Sequence, residues 1–302
     1  MPKNIKKKII LLFGPTASGK SRLADDIASE INAEIVNADS MQVYKEIKIL
    51  SARPLKKNKK HHLYGFTSVK KIFSTGSWYK IASKKIKQIN KKGKIALVVG
   101  GTGLYFKTLT DGFSEIPNVP KRYKNTKINR NFILKNPKIF KGISLNDNQR
   151  LQRAYSVYKH TKKPLWYWQK SNKKEFEKSE ITKIFLSPPK PETLKRINAR
   201  FELMLQQGAI KEVQKFIKKK VNSSHSSNFI IGINEITQFL RKKISLEEVK
   251  ERVLIRTRQY AKRQHTWQRG QMKDWKGFYD TNYLDLRKKI LTYLSKTWPK
   301  IF

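Results

Sequence analysis

The stretch IILLFGPTASGKSRLA, Ile9 to Ala24, sets an apolar β-type run before a glycine-punctuated loop and a helix-like segment. Gly14, Gly19, Lys20 and Ser21 stand at the spacing G-x-x-x-x-G-K-[ST], in the order of strand, loop and helix that such a phosphate loop requires. Small residues let the backbone curl round an anion so that successive N–H groups converge on it. The following helix adds its positive end. Lys20 is placed to reach the outer phosphate, and the Ser21 hydroxyl to hold Mg²⁺ bound to it. The loop alone leaves open whether that phosphate belongs to ATP or to another ligand.

Further β-like runs follow at Glu34 to Asn37, Ile95 to Val99 and Ile184 to Leu186, separated by helical or loop segments. Strands alternating with helices predict a parallel α/β sheet flanked by helices. From Phe113 to Glu180 the pattern changes to a Lys-, Asn- and aromatic-rich stretch at helical spacing. It predicts a helical insertion, residues 113–180, in a core made of residues 1–112 and 181–302. After Pro191, the residues Leu194, Ile197, Phe201, Met204 and Leu205 keep one apolar stripe until Gly208 breaks it. The adjacent His61 and His62 cannot share one helical face as metal ligands, which points to a structural role.

The chain has 302 residues, with 67 Lys+Arg against 22 Asp+Glu, a formal charge of +45. A field of that size draws polyanions, nucleic acid first, although runs such as Lys56 to Lys60 also suit plain solvated surface. With no cysteine there is no disulfide frame, thiolate nucleophile or Cys-based zinc site. The apolar run after Lys8 is too short for a signal peptide, and no run reaches the roughly 18 apolar residues of a membrane span. A soluble, cytoplasmic monomer is the expectation.

A P-loop ATPase needs a further acid at the end of a later strand. KIALVVGGTGLYF ends in Gly100 and Gly101, and KIFLSPP also lacks an acid. Asp39, in EIVNADSMQVYK, is the remaining candidate, at the sheet edge where open α/β folds bind ligands. Such a carboxylate can ligate metal, accept a proton from a nucleophile, or simply cap a helix. Thr102, between glycines, belongs to the same edge. Along Glu251 to Trp267, the residues Arg252, Arg256, Gln259 and Arg263 share one helical face, with Val253, Tyr260 and Trp267 beside it. In NDNQRLQRAYSVYKH, Asp147 can cap a helix that brings Arg150 and Arg153 together near Tyr155 and Tyr158. Guanidinium rows backed by aromatics suit phosphate backbones and stacked bases.

GPTASGKS, NADSMQVYK, HHLYGF, VVGGTGLYFKTL, NDNQRLQRA, RINARFELMLQQGAIKEV, IIGINE and TRQYAKRQHTW, in this order and spacing, resemble the bacterial tRNA dimethylallyltransferases nearly end to end. The resemblance implies a P-loop NTPase-like core interrupted by a helical domain that grips the anticodon stem-loop. It implies transfer of a dimethylallyl group from dimethylallyl diphosphate to the exocyclic amine of the adenosine following the anticodon, with Mg²⁺ as cofactor. Carried over by motif, Asp39 is the general base, Thr102 bonds the leaving diphosphate, and Arg200 is a basic residue near it. Gly14, Pro15, Thr16, Ala17, Ser18, Gly19, Lys20 and Ser21 cradle the diphosphate, with Ser21 on the metal. Asp39, Ser40, Met41, Gln42 and Thr102 match tRNA contacts, as do Lys124 and the run Gln149, Arg150, Leu151, Gln152 and Arg153. Lys124 stands where an Arg is usual. The target base must flip out of its stack to reach the site. Two other classes share parts of the pattern: a P-loop kinase or prenyltransferase acting on free adenine nucleotides, and a non-catalytic RNA-binding protein.

Overall fold

The computed structural model describes residues 8–54, 61–124, 126, 128–170 and 172–299, and of Lys121 and Lys124 the backbone alone. In chain order the elements begin with β1 (Ile9–Phe13), α1 (Lys20–Glu30), β2 (Ala33–Asn37), β3 (His61–His62) and α2 (Thr75–Lys91). Next come β4 (Ile95–Gly100), α3 (Gly103–Asp111), α4 (Lys121–Lys124), α5 (Arg130–Lys135), α6 (Asn148–Thr161) and α7 (Leu165–Gln169). The chain continues through β5 (Ile181–Leu186), α8 (Lys190–Gln206), α9 (Ala209–Ile217), α10 (Ile233–Leu240), α11 (Leu246–Gln271), β6 (Lys276–Phe278) and α12 (Tyr283–Thr297). Two compact units result, one formed by the residues up to 107 together with those from 176, the other by residues 108–175.

The first unit is built on a six-stranded sheet in the order β3-β2-β4-β1-β5-β6, and every pair is parallel. β1 lies between β4 and β5, with Ile9 opposite Ala96 and Ile181, so β1 and β4 end level and β5 runs one residue further. All five β1 residues are buried, as a central parallel strand with both faces covered requires. On one face Ile10, Leu12, Ile35, Leu97 and Ile184 pack with Leu23 and Ile27 of α1 and Ile290 and Leu294 of α12. On the other, Phe13 meets Phe106 edge-on at 5.7 Å, and Trp78 stacks on Tyr105 at 4.1 Å while donating its indole N–H to Asn37 O.

β3 and β6 are the edge strands, too short to stand out in the sequence. β3 brings His62 to Glu34 at 2.6 Å, where Lys94 also reaches the carboxylate at 2.8 Å. These contacts give His62 the structural role expected of it. A separate apolar cluster joins residues 43–50 to α8, α9, α10 and α11 through Val43, Phe201, Val213, Ile236 and Val253. α11 opens on a capping box in which Ser245 Oγ accepts the Glu248 N–H and Glu248 accepts the Ser245 N–H.

In the second unit Ile133, Ile139, Phe140, Leu151, Ala154 and Tyr155 form a small core. Tyr155 therefore packs edge-on against Phe132 at 5.2 Å as a core aromatic. Among the described residues no helix is long and apolar enough to cross a membrane.

Candidate active site

The carboxyl ends of β1, β2 and β4 are laced together by main-chain bonds. Gly14 N–H reaches Gly100 O at 3.1 Å, Ala38 N–H reaches Val99 O at 2.7 Å, and Thr102 N–H reaches Ala38 O at 3.2 Å. That closeness demands glycine at position 100, where a Cβ would lie 2.1 Å from Ala38 O. Residues 14–19, 38–42 and 101–102 are brought side by side as a result.

In the phosphate loop Ala17 (φ 63°) and Gly19 (φ 82°) turn the chain left-handed into α1. The first helical bond runs from Leu23 N–H to Gly19 O, so the N–H groups of Lys20, Ser21 and Arg22 open the helix with no acceptor within it. Pro15 O accepts both the Ser18 N–H and Lys20 Nζ, each at 3.2 Å. Ser18 Oγ is buried without a partner among the described residues, under Gly14. Burial pushes the Lys20 ammonium down to about 8; the Asp39 carboxylate opposes that shift and Arg200 adds to it. Ser21 is exposed on the first turn of the helix.

Asp39 sits in a turn of its own. Its N–H donates to Asn37 Oδ1, and its Oδ1 accepts the Met41 N–H, both at 2.9 Å. Thr102 Oγ1 accepts the Ser40 N–H at 2.9 Å and donates to Ser40 Oγ at 3.2 Å. The Thr102 hydroxyl faces the strand-end turn that carries Asp39. Gln42 is only 8% exposed, and its Nε2 is committed to Ser51 O and Ala52 O at 3.0 and 3.1 Å.

A cleft of about 370 Å³ opens beside this edge. Thr16, Asp39, Arg200 and Arg263 supply its polar side, and Met41, Leu50, Phe201, Met204, Ile230 and Val253 supply an apolar wall. Arg200 Nη2 donates to Thr16 Oγ1 at 2.6 Å. Burial pulls this guanidinium below its ordinary value, against the pull of Asp39. Tyr260 also lines the cleft; burial, and then the nearby Asp39 charge, holds its phenol protonated.

α11 serves the site in a way the sequence reading missed. Gln264 Oε1 accepts the Thr16 N–H and its Nε2 donates to Gly101 O, each at 2.8 Å. The available signal was its position on the buried stripe of Val249, Val253, Thr257 and Ala261. The arginines share one face of α11 but are engaged differently. Arg252 binds Glu248 at 3.1 Å and Gln238 at 3.3 Å, and Arg256 pairs with the buried Glu235, while Arg263 remains exposed near Tyr260.

In the second unit Gln149, Arg150 and Arg153 are exposed on α6, with Arg150 Nε 3.2 Å from the Asp147 carboxylate that caps the helix. Leu151 is 1% exposed and belongs to the core. Gln152 Nε2 is engaged by Thr126 O at 2.6 Å. The Lys124 side chain and Lys56 to Lys60 lie outside the described residues.

Residues 42–271, more than half of the chain, match the family model described as IPP transferase. The chain is 45% identical over 284 residues to a tRNA dimethylallyltransferase of Pelagibacter ubique, covering 89% of this chain and 91% of that one. A tRNA dimethylallyltransferase of Parvibaculum lavamentivorans is 35% identical, with 95% and 96% covered. The fold matches the crystal structure of a tRNA isopentenylpyrophosphate transferase from Bacillus halodurans at a TM-score of 0.73 and 25% identity, with 98% of each chain covered. It also matches a eukaryotic dimethylallyltransferase caught acting on tRNA, at a TM-score of 0.73 and 29% identity over 87% of this chain and 70% of that one. The chain that carries this phosphate loop, edge carboxylate and apolar cleft thus matches these enzymes in sequence and fold, and it belongs to the IPP transferase family.

Proposed function

We propose that the protein transfers the dimethylallyl group of dimethylallyl diphosphate to the N6 amine of the adenosine 3′-adjacent to the anticodon of tRNA, releasing diphosphate. The observation that carries this reading is Asp39: a carboxylate beside Lys20, Arg200 and the phosphate loop, on the rim of a cleft whose other wall is apolar. No water has to attack phosphorus, so the absence of an acid after β4 and β5 is no defect.

In the reaction the carbon–oxygen bond to the diphosphate breaks, a carbon–nitrogen bond forms, and the proton of the amine passes to Asp39. Asp39 Oδ1 is held by the Met41 N–H, leaving Oδ2 to take that proton. Lys20, Arg200 and the open N–H groups of the first turn of α1 take up the charge that develops on the leaving diphosphate. Ser40 and Thr102 fix the turn that presents Asp39. The apolar wall receives the five-carbon chain.

Among the described residues no three His, Cys, Asp or Glu side chains cluster as a metal cage. Ser21 Oγ, exposed and with no hydrogen bond among those residues, fits a hard cation carried mainly by substrate oxygens and water. Mg²⁺ held there would neutralise charge on the diphosphate. In the second unit Gln149, Arg150 and Arg153 would contact the anticodon stem-loop, whose target adenosine must leave its stack.

Diphosphate release from dimethylallyl diphosphate, measured with unmodified tRNA, with AMP and with neither, tests the reading. Release that requires tRNA is expected. Release that follows AMP, or that needs no acceptor, would contradict it.

A further inference from the structure

One carboxylate that the chemistry above does not use anchors a segment of the cleft lining. Glu212, in the first turn of α9, accepts three consecutive backbone N–H groups. Its Oε1 takes Lys48 at 2.6 Å and Ile49 at 2.8 Å, and its Oε2 takes Leu50 at 3.0 Å. Leu50, Ser51 and Ala52 then line the cleft. The Ser51 and Ala52 carbonyls are held from the Gln42 side, and Ala52 sits at φ 51°, which a residue with a Cβ keeps only under constraint. Across the packing, a Cβ on Gly232 (φ 100°) would stand 2.8 Å from Leu50 Cδ2, so Leu50 fills space that glycine alone leaves. The backbone of this segment is held on both sides, and its anchor comes from a helix far along the chain.

We propose that Glu212 is the positioning residue that fixes Leu50 to Ala52 as the end wall of the prenyl site and so limits the accepted allylic chain to five carbons. The proposal rests on the reading of the cleft given above. A glutamine at 212 has one acceptor oxygen and would aim an N–H at an N–H; an aspartate is one methylene shorter. Either leaves loop N–H groups unpaired and frees Leu50 from its seat against Gly232. A relaxed wall holds a short chain less well and admits a longer one, while Asp39 and the phosphate loop keep their places.

The test is steady-state transfer to unmodified tRNA by the wild type, Glu212→Gln, Glu212→Asp and Leu50→Ala. Dimethylallyl and geranyl diphosphate serve as alternative donors. Glu212→Gln is expected to raise KM for dimethylallyl diphosphate about tenfold, with kcat changed less than about threefold and tRNA affinity unaltered. The ratio of geranyl to dimethylallyl kcat/KM should rise about tenfold in both Glu212→Gln and Leu50→Ala, with Glu212→Asp between. If the Glu212 variants fail to fold, Leu50→Ala alone decides, and a wild-type ratio there overturns the proposal. A loss of kcat in Glu212→Gln with KM and donor ratio unchanged overturns it as well. Wild-type protein that prenylates no tRNA overturns the reading of the cleft itself; normal wild-type transfer with unchanged ratios removes only the role of Glu212.

Discussion

Gln264 accepts the backbone N–H of Thr16 at 2.8 Å, joining the last helical turns of α11 to the phosphate loop. The same amide donates to Gly101 O, so one side chain, 5% exposed, sets the spacing between two strand-end loops. Replacing it with alanine leaves a buried donor and a buried acceptor unpaired. Gln264→Ala should lower stability by about 2–4 kcal/mol in urea unfolding. A midpoint within error of wild type would show that the loops hold without it.

Asp39 is expected to act on the amine proton and not on RNA affinity. Asp39→Asn keeps an acceptor for the Met41 N–H but cannot take the proton. Its single-turnover rate should fall by about 10²- to 10⁴-fold, with tRNA binding within a few fold of wild type. Near-normal turnover would remove the role of base from this residue.

The lowered Lys20 pKa gives the enzyme a pH signature. The protonated ammonium is the form that holds diphosphate, and in the free protein it titrates near 8. The kcat/KM for dimethylallyl diphosphate should therefore be level below that pH and fall about tenfold per unit above it. Bound diphosphate stabilises the charged form, so kcat should stay level to higher pH. A kcat/KM that is flat through pH 10 would contradict the assignment.

Arg150 projects from α6 with 68% of its side chain exposed, paired only loosely with Asp147. Arg150→Ala should weaken tRNA binding and reduce the slope of log K against log salt by about one. An unchanged slope would return this face of α6 to ordinary solvated surface.

The core strands were readable because a fully buried parallel strand is a bare apolar run, and Ile9 to Phe13 and Ile95 to Val99 have that form. β6 and β3 were not, since edge strands of two or three residues with Lys or His carry no run to recognise. Asp39 was legible from its place after β2, and the phosphate loop from its spacing. What the sequence concealed are pairings made only by tertiary folding. Arg256 looked available for RNA until α10 brought Glu235 against it. Glu212 carries no signal in the sequence, and only the folded chain sets three loop N–H groups around it. Spacing along one helix shows which residues share a face; it does not show what that face meets.

The most direct test is nucleoside mass analysis of unmodified tRNA and of AMP, each incubated with the purified protein, Mg²⁺ and dimethylallyl diphosphate. N6-dimethylallyl adenosine in the tRNA, at the position following the anticodon, with AMP unchanged, is the expected result. Prenylated AMP with unmodified tRNA would contradict it.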